Sequence, residues 1–168
     1  SMYYISTRDN AVKLTAAEAI AQGLSRDGGL LTPEQFPQLP EGALEALQGM
    51  NYEERAVYVM GLFLDGFTAE ELQGFAEQAY SSEKFDHPQV APVRGLDDHT
   101  HCLELWHGPT SAFKDMALQM LPHLLTASLH KTQEERTVCI LVATSGDTGK
   151  AALEGFRDVD RTKILVFY

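Results

Sequence analysis

The chain has 168 residues, 44% of them hydrophobic and 22% charged, the composition of a protein with a core and not of a disordered tail. Its 24 acidic against 13 basic residues give a formal net charge of −11, which argues against a general surface for nucleic acid or an anionic membrane and leaves room for a local positive pocket. Its two cysteines, Cys102 and Cys139, form neither a disulfide framework nor a Cys-x-x-Cys metal pair. With no apolar run of about 18 residues and no basic start before an apolar stretch, the expectation is a cytoplasmic protein without a membrane span or leader.

Ser1 ahead of Met2 reads as a scar of tag removal. Met2 to Ile5 is a short apolar run suited to an edge strand. A helix follows, with Thr15 as N-cap, Glu18 completing a capping box and Gly23 as its stop. The segment RDGGLLTPEQFPQLP is punctuated by Gly28, Gly29, Pro33, Pro37 and Pro40 and reads as loop. Asn51 with Glu54 opens a second helix, whose Ala56, Val59, Met60, Phe63 and Leu64 recur at helical spacing before Gly66. Thr68 opens a third, with Leu72, Phe75, Ala76 and Ala79 on one face.

After Tyr80 the texture changes. A hairpin is expected from Val90 to Arg94 and Thr100 to Trp106, turning near Asp97 and Asp98. HGPTSAF is loop, and KDMALQMLPHLLTASLH is a helix that Pro122 should kink or break near the fourth residue before it. TVCILVAT and KILVFY read as strands buried on both faces, joined by a helix from Gly149 to Arg157. Strand, helix and strand with short connections make a βαβ unit with parallel pairing. The expected class is α/β, with a mainly helical domain over 1–84 and the start of an α/β domain over 85–168. Two such strands do not make a stable sheet alone, so either other chains complete it or the chain is the front piece of a longer protein.

The stretch ATSGDTGKAA invites a phosphate-loop reading, G-x-x-x-x-G-K-[ST]. Aligned on Gly149 and Lys150, Thr144 stands where the first glycine must be and Ala151 where the magnesium-binding hydroxyl must be, so nucleotide hydrolysis is set aside. A strand tip still feeds a helix N-terminus through Ser145, Gly146, Asp147, Thr148 and Gly149. Unpaired N–H groups, the helix dipole and the hydroxyls of Thr144, Ser145 and Thr148 suit a small anion such as a carboxylate. An ordinary turn capped by Ser145 or Asp147 explains the same residues.

Lys114 falls in the first turn of its helix, with Thr110 or Ser111 as N-cap. The dipole repels a cation there, and Ala112 and Phe113 are apolar, so a depressed pKa and nucleophilic attack on a carbonyl are expected. The alternative is a solvent-facing lysine paired with an acid such as Asp115.

The segment ELWHGPTSAFKDMALQ resembles the lysine segment of threonine synthases, pyridoxal-phosphate enzymes of fold-type II, and ATSGDTGKAA resembles their loop after the next strand. YISTRD and GLSRDGGLLTPE resemble the family's opening segments, with Asp9 where Gly is more usual. The likeness runs in order over nearly the whole chain. It implies a helical region followed by a hairpin and the first βαβ units of a fold-type II domain. It further implies pyridoxal 5'-phosphate as cofactor, held by Lys114, which also moves protons on the substrate. Thr144, Ser145, Gly146 and Thr148 would grip the substrate carboxylate, and Asp147 would stand beside the cofactor's phenolic oxygen or cap the helix. The implied reaction turns O-phospho-L-homoserine and water into L-threonine and phosphate. The family's later phosphate-binding loop does not occur by Tyr168, so the isolated chain is expected to be inactive; a non-catalytic binding or assembly module is the competing reading.

His99, His101, Cys102 and His107 cluster in sequence, and His-x-His places two rings on one strand face. No fourth ligand is evident, so no metal site is expected: the hairpin histidines read as surface groups and His107 as a contact to cofactor or substrate. Leu62, Phe63, Leu64 and Phe67 read as helical core, and core faces left bare favour self-association.

Overall fold

Three reciprocal caps set the helical part of the chain. Thr15, Asn51 and Thr68 each accept from the backbone N–H three residues on, and Glu18, Glu54 and Glu71 reach back to the N–H of their cap residue. Each cap satisfies donors that a helix start leaves without intrahelical acceptors. The computed structural model describes residues 2–144 and 146–168. In order, its elements are β1 (Tyr4–Ser6), α1 (Ala16–Gln22), β2 (Leu31–Pro33), α2 (Ala43–Gln48), α3 (Tyr52–Phe63), α4 (Ala69–Ala79), β3 (Val93–Gly95), β4 (His101–Leu103), α5 (Asp115–Leu118), α6 (Leu121–Lys131), β5 (Val138–Ala143), α7 (Asp147–Phe156) and β6 (Thr162–Phe167).

The chain divides into two compact units, residues 1–75 with 124–135, and residues 76–123 with 136–168. In the first, β1 pairs antiparallel with β2, with Ile5 opposite Thr32. The segment read as loop therefore contains a strand. Its three residues are too few to show a period, and pairing with β1 supplies what propensity does not. Ala16, Ala17, Phe67 and Leu72 form the core of this unit, with Tyr4, Ile20, Val57, Met60 and Leu64 packed on it. The Tyr4 hydroxyl donates to the Phe63 carbonyl at 2.8 Å, at the end of α3.

In the second unit β3 and β4 form the hairpin in antiparallel register, Arg94 opposite Cys102. Asp97 closes its turn by accepting from the N–H groups of His99 and Thr100, both at 2.8 Å. The expected helix over 114–130 is two helices. α5 ends at Leu118, four residues before Pro122, because proline offers no N–H to that carbonyl and its ring crowds it. β5 and β6 pair parallel, Ile140 opposite Ile164, and α7 packs on them.

The expectation that β5 and β6 are buried on both faces is corrected here. Burial alternates along each strand. Ile140, Val142, Ile164 and Val166 lie on the half-buried face, while Leu141, Leu165 and Phe167 on the other are 68%, 52% and 59% exposed. Parallel strands with a single helix layer have one uncovered face, however apolar they are.

Candidate active site

α5 is a single turn, and Lys114 occupies its N-cap position in helical backbone geometry. The expected cap by Thr110 or Ser111 does not form. Thr110 instead points its donors forward: its N–H and hydroxyl donate to the two carboxylate oxygens of Asp115, at 2.8 and 2.7 Å. Asp115 is 0% exposed. Its carboxylate is thus committed to Thr110, and the pairing with Lys114 that would explain the lysine as a surface ion does not form. Lys114 is half-buried, its ammonium lying 5.2 Å from the centre of the Phe113 ring, and among the described residues it makes no ion pair. Ser111 takes φ 59°, a left-handed conformation that a non-glycine residue adopts only when its surroundings impose it.

The second expected constellation begins at the tip of β5. Thr144 continues the ladder, its N–H donating to the Phe167 carbonyl at 3.0 Å. Ser145 lies outside the described residues. Gly146 is the N-cap of α7, which starts two residues earlier than the sequence suggests, at Asp147. Asp147 is exposed in the first turn, and the start of α7 carries no side-chain cap bond, so among the described residues the capping role considered for Asp147 is not observed. Thr148 is half-buried, and among the described residues a methyl built on Gly146 meets no atom within 4 Å, so there is free space at that glycine. Gly149 is its opposite. A Cβ there would lie 2.9 Å from the Thr144 methyl and 3.0 Å from Val166 Cγ1, so glycine lets α7 sit down on the sheet. Lys150 is exposed on α7.

The two constellations stand on elements that touch. α5 packs on α7 near the C-terminal end of α7, where a Cβ on Gly155 would run into the Leu118 carbonyl oxygen. The chemistry on offer is an amine without a carboxylate partner on one element, and an open helix start suited to an anion on the other.

Pattern reading named His107 as a contact to cofactor or substrate but missed its two protein partners. His107 Nδ1 stands 2.6 Å from Asp86 Oδ1, and Nε2 stands 2.9 Å from Glu104 Oε1. The hydrogen bond with Glu104, then that with Asp86, raises the His107 pKa above its ordinary 6.5. Both nitrogens are therefore engaged by the protein itself. The Glu104-x-x-His107 spacing is a weak signal for this, and Asp86, 21 residues away, gives none. His99 and His101 are exposed, and among the described residues no group of three or more His, Cys, Asp or Glu side chains could hold a metal ion. No helix among them is long and apolar enough to cross a membrane.

Comparison with known proteins adds the following. The family described as threonine synthase N terminus matches residues 3–80. Threonine synthase of Pseudomonas aeruginosa is 42% identical over 99% of this chain and 35% of its own length. That of Schizosaccharomyces pombe is 38% identical over 98% of the chain and 33% of its own. A crystal structure of pyridoxal-phosphate-bound threonine synthase from Brucella melitensis superposes with a TM-score of 0.89 at 40% identity, covering 99% of this chain and 35% of that one. The chain spans about a third of the length of the curated relatives it matches.

Proposed function

From the premise that this chain carries the N-terminal region of the threonine synthase family, we propose that it supplies the lysine and the carboxylate-binding turn of an enzyme that makes L-threonine and phosphate from O-phospho-L-homoserine and water. The observation that carries this is Lys114: a half-buried amine whose adjacent carboxylate is fully engaged elsewhere. Such an amine has no partner fixing its charge, which fits a group that must condense with an aldehyde.

Pyridoxal phosphate, when bound, supplies a ring that takes up the electron pair released at the substrate carbons and so permits loss of phosphate. The chain's own residues do the rest. Lys114 holds the cofactor and carries protons to and from the substrate carbons. Thr144, Ser145, Gly146 and Thr148 receive the substrate carboxylate, aided by the first-turn N–H groups of α7. Asp147, exposed at the same helix start, borders the cofactor. The isolated 168-residue chain has no turnover of its own, and the bare face of β5 and β6 drives its self-association.

The test is capture of the amine. Condensation with pyridoxal 5'-phosphate expels water, and borohydride then delivers hydride to the carbon–nitrogen double bond, leaving a secondary amine that peptide mapping locates. Lys114 is expected to carry the adduct, and Lys114→Ala to lose it. Uniform labelling of all lysines would favour a binding or assembly module without catalytic function. Release of phosphate from O-phospho-L-homoserine by the chain alone would overturn the claim of inactivity.

A further inference from the structure

His107 begins the connection that leads to Lys114, and its ring meets a carboxylate at each nitrogen. A neutral imidazole has one N–H and one lone pair, so one of these contacts would set a lone pair against a carboxylate oxygen. With both carboxylates ionised, only the doubly protonated ring satisfies both at 2.6 and 2.9 Å. The His107 side chain is 13% exposed, and its ring lies 5.0 Å from that of His87 and 5.5 Å from that of Trp106. The charged groups facing it are Asp86 and Glu104, with His87 the titratable neighbour.

The anchoring continues along the backbone. The Asp86 N–H donates to the His107 carbonyl at 3.0 Å, so Asp86 grips the residue by main chain and side chain together. At Gly108 a Cβ would fall 2.6 Å from both Cβ and Oδ2 of Asp115, so this backbone lies directly against the residue that follows Lys114. The Ser111 N–H donates to the Gly108 carbonyl at 3.1 Å, and Thr110 donates to Asp115.

We propose that His107, as an imidazolium clamped between Asp86 and Glu104, is the positioning residue of the lysine turn, fixing through Gly108 and Asp115 where Lys114 presents its amine. This rests on Lys114 being the cofactor-holding residue. The sign follows from the two carboxylates. They raise the ring's pKa in the folded chain, so the clamp is complete below the unfolded value of about 6.5 and is lost as pH rises through the folded value. The lysine turn loosens on the alkaline side.

Two readings on the 168-residue chain test this. The first is the pH titration of the His107 ring nitrogens by NMR, with exposed His99 and His101 as references. The second is reductive labelling by pyridoxal 5'-phosphate and borohydride, scored as the ratio of adduct at Lys114 to that at exposed Lys150. Taking the ratio cancels the general rise of amine reactivity with pH. Both His107 nitrogens should be protonated at about pH 6. The labelling ratio should fall several-fold over the same pH range in which the ring deprotonates. Glu104→Gln keeps shape and removes charge, and should move both midpoints down together; Asp86→Asn, at a side chain 79% exposed, should do the same should the buried Glu104 site not tolerate change. A singly protonated ring at that pH overturns the proposal, as does a ring midpoint that moves while the labelling midpoint stays. No preference for Lys114 at any pH removes the lysine reading and the positioning role with it, and the ring titration, read independently, tells that outcome from failure of the clamp.

Discussion

Asp115 shows how a carboxylate next in sequence to a lysine is withheld from it. Its two oxygens take the N–H and hydroxyl of Thr110, so removing them leaves two half-buried donors without their acceptors beside the space the buried carboxylate filled. Asp115→Ala is therefore expected to lower the unfolding free energy by about 1–3 kcal/mol, read from urea melts. Thr110→Val should cost less, since its N–H still reaches the carboxylate. At this scale the sequence raised Lys114 as a candidate because a helix start is an unusual seat for a cation, and that helix is a single turn with Lys114 at its N-cap. It was silent about which neighbour faces inward. Asp115 was as good a partner for Lys114 on paper as Thr110 is in space, and nothing in ELWHGPT points back to Asp86.

Helix starts were legible because a capping box is local chemistry. Thr15 with Glu18 and Asn51 with Glu54 could be read from three-residue spacings and are present as such. Thr15→Ala should cost about 1 kcal/mol, visible as a lower urea midpoint at unchanged slope. The break before Pro122 was legible for the same reason. β2 and α2 were not: the first is three residues defined by its partner strand, and the second begins at Gly42 with no side-chain cap. Packing of α5 on α7 gives a sharper expectation. Alanine at Gly155 gains about 1 kcal/mol of helix propensity but meets the Leu118 carbonyl, a backbone atom that cannot swing aside. Gly155→Ala should lose about 1–3 kcal/mol on balance. Gly74→Ala on α4, where a Cβ meets nothing within 4 Å, should gain up to about 1 kcal/mol in the same melts.

On the scale of the molecule, the parallel β5–α7–β6 unit was legible from two apolar runs and the helix between them, whereas its one-sided burial was not. An apolar run has the same letters whether one face or two are covered, and only neighbouring elements decide. The bare face aligns Leu141 with Leu165 and Ala143 with Phe167. Sedimentation velocity on the chain alone should show mass rising with concentration, and Leu141→Glu with Leu165→Glu should suppress it; a monomer at all concentrations would refute the expectation. The same register puts Cys139 at one end of that stripe, opposite Lys163, with its thiol exposed. Nature has thus left a chemical probe on the naked face: its alkylation should slow once any polypeptide closes over the sheet, with half-buried Cys102 on the hairpin as the internal standard.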